Sequence, residues 1–372
     1  MNNKKIVFIC GGGDSLVRFR LEFIKRFLEQ SYEVYAYAPE IRDEFLEELL
    51  KLNVKFEKIS FQRKNLNPVN TFKSIIDITQ KLKLHKPDVV FSYTHKSVVI
   101  GSICAYLAKV KSSYSLITGT GHIFDGDTLK QRIQRIIGIL GFKIALRFNQ
   151  KVFFQNPDDL KLFARLKVVS SQRSVLVNGS GVNLELFSVK PLPEEPIFLC
   201  LSRLIKSKGL IEYAKAAAIT KKKFPSAKFL LYGFPDDHYD SIDEQEIIDN
   251  WHSDFGIEYL GFSGNPIDTI SKCSVYVLLS YNEGTPRSVL EAMSMGRPII
   301  TTHVSGCRET VKEEFNGFLV PHKDYEYAAS CMMKLMDPEL RSKMGKASRI
   351  YCEQKYNVHE VNSILLKEME II

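Results

Sequence analysis

The stretch YNEGTPRSVLEAMSMGRPIITTHVSGCRETV, residues 281–311, decides the fold because it contains the centre of a β-α-β unit. Together with the apolar run before it, the pattern predicts a buried strand at 275–279, a turn at 282–286, a helix at 287–295 and a second strand at 299–302. Gly296 fits the end of the helix, and Pro298 fits the start of the next strand. Strands joined through a helix in this way predict a parallel sheet.

Two carboxylates, Glu283 in the turn and Glu291 on the helix, frame this stretch. Pro286 suits the first helical turn, because its missing N–H would have no intrahelical acceptor there. The amides then expected to point out of the helix N-terminus, where an anion is favoured, are those of Arg287, Ser288 and Val289. This order fits a ligand with hydroxyl groups at both ends and phosphate in the middle, and a nucleotide sugar is such a ligand.

Length and composition restrict the class of protein. A chain of 372 residues is too long for one typical core and predicts two domains. Seven cysteines without paired spacing predict buried, reduced thiols in a cytoplasmic protein. We predict neither a signal peptide nor a transmembrane helix, since no run of about twenty apolar residues occurs.

The net charge of +8 suits anionic lipid or phosphorylated substrates as well as it suits nucleic acid. The basic residues form no strip interleaved with aromatic residues, so we do not predict a nucleic-acid partner.

Strand patterns alternate with amphipathic helices through the first half, which predicts a parallel sheet. Gly11, Gly12 and Gly13 follow the first strand, where a Rossmann phosphate loop would lie. The motif G-x-G-x-x-G is not satisfied, because residue 16 is leucine. The glycines predict either a close approach of the backbone to a ligand or simply a tight turn.

Two histidines of the first half are candidates for substrate contact. His95 and Lys96 follow the predicted strand at 89–93, at the carboxyl end, where open α/β sheets place ligand-binding residues. His122 ends the glycine-rich loop TGTGH at 118–122 and is the strongest histidine candidate for a substrate contact. A hydrogen-bonded loop residue is the alternative role for His122.

Residues 128–150 combine many apolar residues with five cations and contain no acid. The cations are Lys130, Arg132, Arg135, Lys143 and Arg147. A basic, strongly apolar helix of this kind favours a membrane surface with anionic lipids. A buried interdomain helix whose cations reach solvent is the alternative. We favour the membrane, because packing alone does not require five cations without one acid.

Residues 191–196, PLPEEP, have the composition of a linker and place the predicted domain boundary after residue 190. A second alternating pattern begins with a strand at 197–201, and Arg203 and Lys208 follow at its carboxyl end. An arginine can bind a diphosphate through two parallel hydrogen bonds, and a lysine adds a compact charge. A solvated basic loop is the alternative. The carboxyl ends of parallel strands share one edge, however, so we expect both cations near the amides of 287–289.

The chain resembles the GT-B glycosyltransferases of family four, a group of retaining, nucleotide-sugar-dependent enzymes, over essentially its whole length. The motifs are LSRLIKSKG at 201–209, EGTPRSVLEA at 283–292, GRPII at 296–300, NGFLV at 316–320 and NGSGV at 178–182. It is most similar to bacterial members that extend undecaprenyl-diphosphate-linked sugars. That similarity rests on FRL at 19–21, THKS at 94–97, TGTGH at 118–122 and FQNPDD at 154–159.

The resemblance implies an α/β fold with two Rossmann-like parallel-sheet domains facing each other across a cleft. Residues 1–190 would bind the acceptor, 191–352 would bind the nucleotide sugar, and 353–372 would form a helix that crosses back to the first domain. The implied acceptor or cleft residues are Gly12, Gly13, His95 and Lys96.

The resemblance also implies the roles of the donor residues. Arg203 and Lys208 would hold the diphosphate, and Glu291 the ribose hydroxyls. Glu283 would contact the hydroxyls of the transferred sugar near its reacting carbon, and His122 is the candidate for a histidine close to that sugar; these are the two catalytic residues implied. The remaining donor-binding residues implied are Gly284, Thr285, Ser288 and Val289.

The expected reaction moves a hexose or N-acetylhexosamine from a UDP-sugar to a lipid-linked glycan with retention, without a metal or other cofactor. The acceptor hydroxyl would attack from the face that UDP leaves. Two alternatives share the architecture: a GT-B UDP-sugar epimerase and a non-catalytic, membrane-bound partner subunit. The presence of Arg203, Lys208, Glu283 and Glu291 argues against both.

Overall fold

The computed structural model describes residues 3–61, 68–120, 128–236 and 240–372. The chain divides into two compact units, each built on a parallel sheet between helices. Unit 1 comprises Met1–Ser180 and His359–Ile372, and unit 2 comprises Gly181–Val358. The predicted fold class of two parallel-sheet α/β domains is confirmed.

Unit 1 contains a seven-stranded sheet of order β3-β2-β1-β4-β5-β6-β7, parallel throughout. Its elements are β1 (Lys5–Ile9), α1 (Asp14–Glu29), β2 (Glu33–Ala38), α2 (Asp43–Lys51), β3 (Lys55–Lys58), α3 (Pro68–His85), β4 (Val89–Tyr93), α4 (His95–Leu107), β5 (Ser112–Ile117), α5 (Leu129–Ala145), β6 (Lys151–Phe154), α6 (Pro157–Arg165) and β7 (Ser174–Leu176). The strand order reverses between β1 and β4, where this type of sheet opens a crevice at its carboxyl edge.

Unit 2 contains a six-stranded parallel sheet of order β10-β9-β8-β11-β12-β13. Its elements are β8 (Ile197–Arg203), α7 (Leu210–Lys223), β9 (Lys228–Phe234), α8 (Glu244–Phe255), β10 (Ile257–Tyr259), α9 (Pro266–Ser271), β11 (Val275–Leu278), α10 (Arg287–Ser294), β12 (Ile299–Thr302), β13 (Gly317–Val320), α11 (Tyr325–Lys334) and α12 (Pro338–Tyr356). The strand order reverses between β8 and β11.

The boundary between the units lies at Gly181 rather than after residue 190. The amide of Val182 donates to the carbonyl of Tyr356 at 2.7 Å, and the amide of Val358 donates back to Val182 at 3.1 Å. Gly181 has φ +66°, and a Cβ there would lie 2.6 Å from Cα of Val358. This close backbone pairing draws residues 181–190 into unit 2, so the linker composition marks a later position than the boundary itself.

The C-terminal helix, α13 (Val358–Glu368), is shorter than the predicted segment 353–372, because α12 continues to Tyr356. The residues from His359 to the C-terminus belong to unit 1. Val361 and Leu365 pack into the same core cluster as Phe8 of β1, and the hydroxyl of Tyr114 donates to the carbonyl of Met369 at 3.0 Å.

All seven cysteines are buried and free, in agreement with the sequence prediction. Within the described ranges, no helix combines the length and hydropathy that a membrane span needs.

Candidate functional site

The β-α-β unit predicted from residues 281–311 is present in unit 2. Strand β11, helix α10 and strand β12 follow one another as expected, and Gly296 ends the helix with φ +79°. Pro286 differs from the prediction, since it is the N-cap of α10 and precedes its first turn.

Lys208 and Glu283, which lie 75 residues apart in the chain, form an ion pair at the carboxyl edge of the sheet. Lys208 ends a 3-10 turn after β8, and Glu283 lies in the turn after β11. The hydroxyl of Ser280 also donates to the Glu283 carboxylate, at 2.8 Å. The two charged side chains are only 17% and 15% exposed. The pair therefore lies at the switch point of the sheet, where open α/β folds bind ligands.

Two glycines bring the backbone close enough to form this pair. Gly209 has φ +70°, and a Cβ there would lie 2.0 Å from the carbonyl oxygen of Leu279. Gly306 has φ +76°, and its Cβ would lie 2.2 Å from the carbonyl oxygen of Glu283. The amide of Glu283 in turn donates to Ser305 at 3.2 Å. Only glycine combines the left-handed backbone with this close approach, so both positions support the Glu283 turn.

Glu291 is 8% exposed on α10 and accepts a hydrogen bond from Nε of Arg287 at 2.9 Å. The same guanidinium donates to the carbonyl of Gly181. At the start of α10 the prediction needs a correction, because the amide of Val289 donates to Pro286 at 3.1 Å. The amides of Arg287 and Ser288 come before the first intrahelical donor and remain the candidates for anion binding.

Arg203, the last residue of β8, forms an ion pair with Asp236, which follows β9. Sequence reasoning identified the arginine but missed its partner, although the carboxyl ends of neighbouring strands would have indicated it. Reasoning from the sequence also missed Arg287 as the partner of Glu291, despite their i, i+4 spacing on one helix.

Arg203 and Lys208 are thus each held by a carboxylate of the same unit. Lys and Arg side chains are the usual counter-ions of phosphate groups. A diphosphate bound at this edge would therefore compete with Glu283 for Lys208 and with Asp236 for Arg203. Behind Glu283, burial raises the pKa of the Cys307 thiol to about 12, so that cysteine stays protonated and is not a nucleophile. The arrangement can bind and neutralise a phosphorylated leaving group.

In unit 1, the two predicted glycines differ in their surroundings. A Cβ at Gly12 would meet nothing within 4 Å, whereas one at Gly13 would lie 2.5 Å from Cβ of Ile41. Gly13 is the N-cap of α1, so its role is to let the chain pack against residues 40–41. The helix begins at Asp14.

Thr94 follows β4 as the N-cap of α4, with φ +70° and ψ +148°, a backbone region that residues other than glycine rarely occupy. His95 and Lys96 then open α4. His95 is hydrogen-bonded through Nε2 to the carbonyl of Gly119, and the Lys96 ammonium lies 5.3 Å from the ring centroid of Phe61. Burial lowers the pKa of Lys96. These residues lie at the carboxyl end of β4, as predicted, whereas His122 lies outside the described residues.

For the residues that the structure covers, no group of three or more His, Cys, Asp or Glu side chains is placed to hold a metal ion. The expectation of a metal-free reaction remains a prediction.

The two parallel-sheet units have the architecture of the GT-B fold. The sequence profile of the family described as "Glycosyl transferases group 1" matches residues 183–351, which include every donor-site residue discussed above. Residues 183–351 therefore match this family, and the chain is similar over most of its length to glycosyltransferases.

Two curated relatives cover most of the chain. An N,N'-diacetylbacillosaminyl-diphospho-undecaprenol alpha-1,3-N-acetylgalactosaminyltransferase of Campylobacter jejuni is 27% identical over 357 residues, 92% of each chain. A UDP-Gal:alpha-D-GlcNAc-diphosphoundecaprenol alpha-1,3-galactosyltransferase of Escherichia coli is 27% identical and covers 79% of this chain and 78% of its own. Among solved structures, Anabaena HepE in complex with UDP and glucose matches all of both chains with a TM-score of 0.78 at 16% identity.

Proposed function

We propose that this glycosyltransferase moves a hexose or N-acetylhexosamine from a UDP-sugar to an undecaprenyl-diphosphate-linked glycan during bacterial polysaccharide or glycan biosynthesis. The observation that carries the proposal is the Lys208–Glu283 pair at the switch point of unit 2. The names of the two curated relatives support the lipid-linked acceptor, and the HepE complex with UDP and glucose supports UDP as the carrier of the donor sugar.

On the donor side, Arg203 and Lys208 bind the diphosphate after exchanging their carboxylate partners for phosphate oxygens. The open amides at the start of α10, with Gly284 and Thr285 in the preceding turn, complete the anion site. The Glu291 carboxylate accepts hydrogen bonds from the ribose hydroxyls. Nε of Arg287, which donates to the same carboxylate at 2.9 Å, keeps it in place. No metal is needed, because these groups neutralise the leaving diphosphate as its charge develops.

Glu283 binds the hydroxyls of the transferred sugar, and the backbone contacts of the Gly306 turn hold it in position. The acceptor hydroxyl attacks on the face that UDP leaves, so the anomeric configuration is retained. The leaving diphosphate takes the acceptor proton. Glu283 and Glu291 serve different parts of one donor and are not an acid–base pair of the hydrolase type.

Unit 1 binds the acceptor, with Gly12, His95 and Lys96 near the reversal of strand order between β1 and β4. Its helix α5 contacts the inner face of the cytoplasmic membrane, where a lipid-linked acceptor would be found. Support comes from the exposure of its apolar residues: Ile136 and Ile137 are 58% and 64% exposed.

The test is a panel of UDP-sugars incubated with the protein, with and without an undecaprenyl-diphosphate-linked sugar. We expect UDP release that depends on the acceptor, and a product whose new linkage keeps the donor's α configuration by NMR coupling constants. A new UDP-sugar formed without acceptor would identify an epimerase and refute the proposal. Absence of any turnover with the whole panel would favour the non-catalytic partner instead.

A further inference from the structure

The helices of unit 1 form two layers on opposite faces of its sheet. Ile6 and Phe8 of β1 share a core cluster with residues of α1, α2 and α13. The alternate residues Val7 and Ile9 share another cluster with residues of α3 and α4. Helix α5 packs on the same face as α4, through Val98. The helices α3, α4 and α5, here called the α3–α5 layer, therefore cover one face together.

Helix α5 presents one continuous apolar stripe to solvent. Its residues recur at helical spacing and are each between 50% and 64% exposed: Ile133, Ile136, Ile137, Leu140 and Ile144. A capping box between Thr128 and Gln131 fixes the start of the helix, so the stripe belongs to a well-formed element.

Helix α3 presents a second stripe, which sequence reasoning did not single out. Val69, Phe72 and Ile76 are 60%, 64% and 42% exposed at i, i+3 and i+7 spacing. Helix α4 lies between α3 and α5 and packs against both of them. The two stripes thus belong to the same helix layer, and exposed apolar groups of this extent on a protein surface mark an interaction site.

Charge distinguishes this layer from the opposite one. The three helices of the α3–α5 layer contain a single acid, Asp77, which is paired with Lys81 at 3.1 Å. Exposed cations of the layer and its ends are Lys73, Lys83, Lys109, Lys111, Arg132 and Arg147. The opposite helices α1, α2 and α13 carry nine acids against six Lys and Arg residues. The acids are Asp14, Glu22, Glu29, Asp43, Glu44, Glu47, Glu48, Glu360 and Glu368.

We infer that the whole α3–α5 layer, and not α5 alone, docks on the surface of a bilayer that contains anionic lipids. The inference rests on the proposed lipid-linked acceptor and adds a second contact element and an orientation for unit 1. Apolar stripes enter the boundary between headgroups and acyl chains, while the flanking cations meet anionic headgroups. A second copy of the chain is a poorer occupant, because two such layers would bring cations against cations.

The test is sedimentation of the full chain with phosphatidylcholine vesicles, with and without phosphatidylglycerol. One variant changes α3 (Phe72→Ser with Ile76→Ser), and another changes α5 (Ile136→Ser with Ile137→Ser). The matched control removes exposed apolar residues from the opposite layer, Leu50→Ser on α2 with Ile364→Ser on α13, which are 53% and 41% exposed.

Wild-type binding should require phosphatidylglycerol and weaken with salt. The α3 and α5 variants should each bind at least about tenfold more weakly, from the apolar area withdrawn from the bilayer, while the control binds like wild type.

Equal weakening in the opposite-layer control, or an α3 variant that binds like wild type, would overturn the inference. In the second case the proposed function stands if acceptor-dependent UDP release persists. Conversely, a protein that binds vesicles through both helices but transfers no sugar would overturn the proposed function alone. Concentration-dependent dimers that the α3 substitutions abolish, without any vesicle binding, would assign the layer to self-association and overturn the inference.

Discussion

The ion pair between Lys208 and Glu283 gives the sharpest prediction about the donor site. We consider three variants: Lys208→Met, Glu283→Gln and the double variant. Each single change leaves one charge without its opposite charge; in Lys208→Met, Glu283 would keep the hydroxyl of Ser280 at 2.8 Å but lose the ammonium. The double change removes both charges and keeps similar side-chain volumes.

The size of the stability effect follows from the exposure of the pair. Side chains that are 17% and 15% exposed lie between a surface pair and a fully buried one. Each single variant should therefore lose about 1–3 kcal/mol of unfolding free energy, less than the loss for a fully buried pair. The double variant should lose less than the sum of the two, because no unpaired charge remains.

Activity should behave differently from stability. If Lys208 neutralises the leaving diphosphate, its loss should lower kcat by about 10²–10³, as for other groups that stabilise developing negative charge. Glu283→Gln should cause a comparable loss, because the amide no longer accepts strong hydrogen bonds from the sugar hydroxyls. The double variant should recover stability but not activity.

Two measurements decide the matter: urea unfolding for the free energy and acceptor-dependent UDP release for turnover. Single variants with nearly wild-type turnover would show that the site is assigned wrongly. If turnover returned together with stability in the double variant, the ion pair would only stabilise the fold and would not contact the donor.

Three further predictions follow from the geometry. Glu291→Gln should raise KM for the donor about tenfold with a smaller change in kcat, since a ribose contact serves binding more than chemistry; initial-rate kinetics check this, and an unchanged KM would contradict it. Gly209→Ala should cost more unfolding free energy than Gly256→Ala, by about 1–3 kcal/mol in urea titrations. Both glycines have φ near +70°, but a Cβ at Gly209 meets a carbonyl at 2.0 Å, whereas one at Gly256 meets only a lysine side chain at 3.5 Å. Burial raises the pKa of the Asp159 carboxyl from 3.8 to about 7. Between these pH values the folded state keeps a proton that the unfolded state has lost, so the free energy of unfolding falls as pH rises from about 4 to 7. Asp159→Asn should remove that decline. The difference in unfolding free energy between the variant and wild type should therefore shift by about 2–4 kcal/mol in favour of the variant between pH 4 and pH 8. Parallel pH profiles of the two proteins would refute this prediction.

Local sequence patterns determined much of the architecture. Alternating strands and helices, with glycine at helix ends, indicated two parallel sheets. Hydrophobic periodicity and the residues that end helices and strands are properties of short segments, so they can be read from the sequence. The carboxyl-end rule then placed Arg203, Lys208 and Glu283 at one edge, and the structure brings Lys208 and Glu283 into contact there. The composition of 128–150 likewise indicated a basic, apolar helix, which is α5.

Only the tertiary structure decided the partners and the limits of these elements. Arg203 pairs with Asp236, and Val182 pairs with Tyr356 and Val358, through contacts between residues far apart in sequence. No local pattern encodes such contacts, since they depend on which strands lie side by side and on how closely their backbones approach. The boundary at Gly181 is decided in this way.

The charge asymmetry of unit 1 is also a tertiary property. The sequence of α3 shows neither which of its apolar residues face the sheet nor that α5 lies on the same face. Hydrophobic periodicity indicates that a helix has a buried stripe, and the packing of neighbouring helices decides what remains exposed. The sequence therefore determined two parallel-sheet domains and their charged strand ends, whereas the fold decided which ion pairs form and which apolar residues stay at the surface.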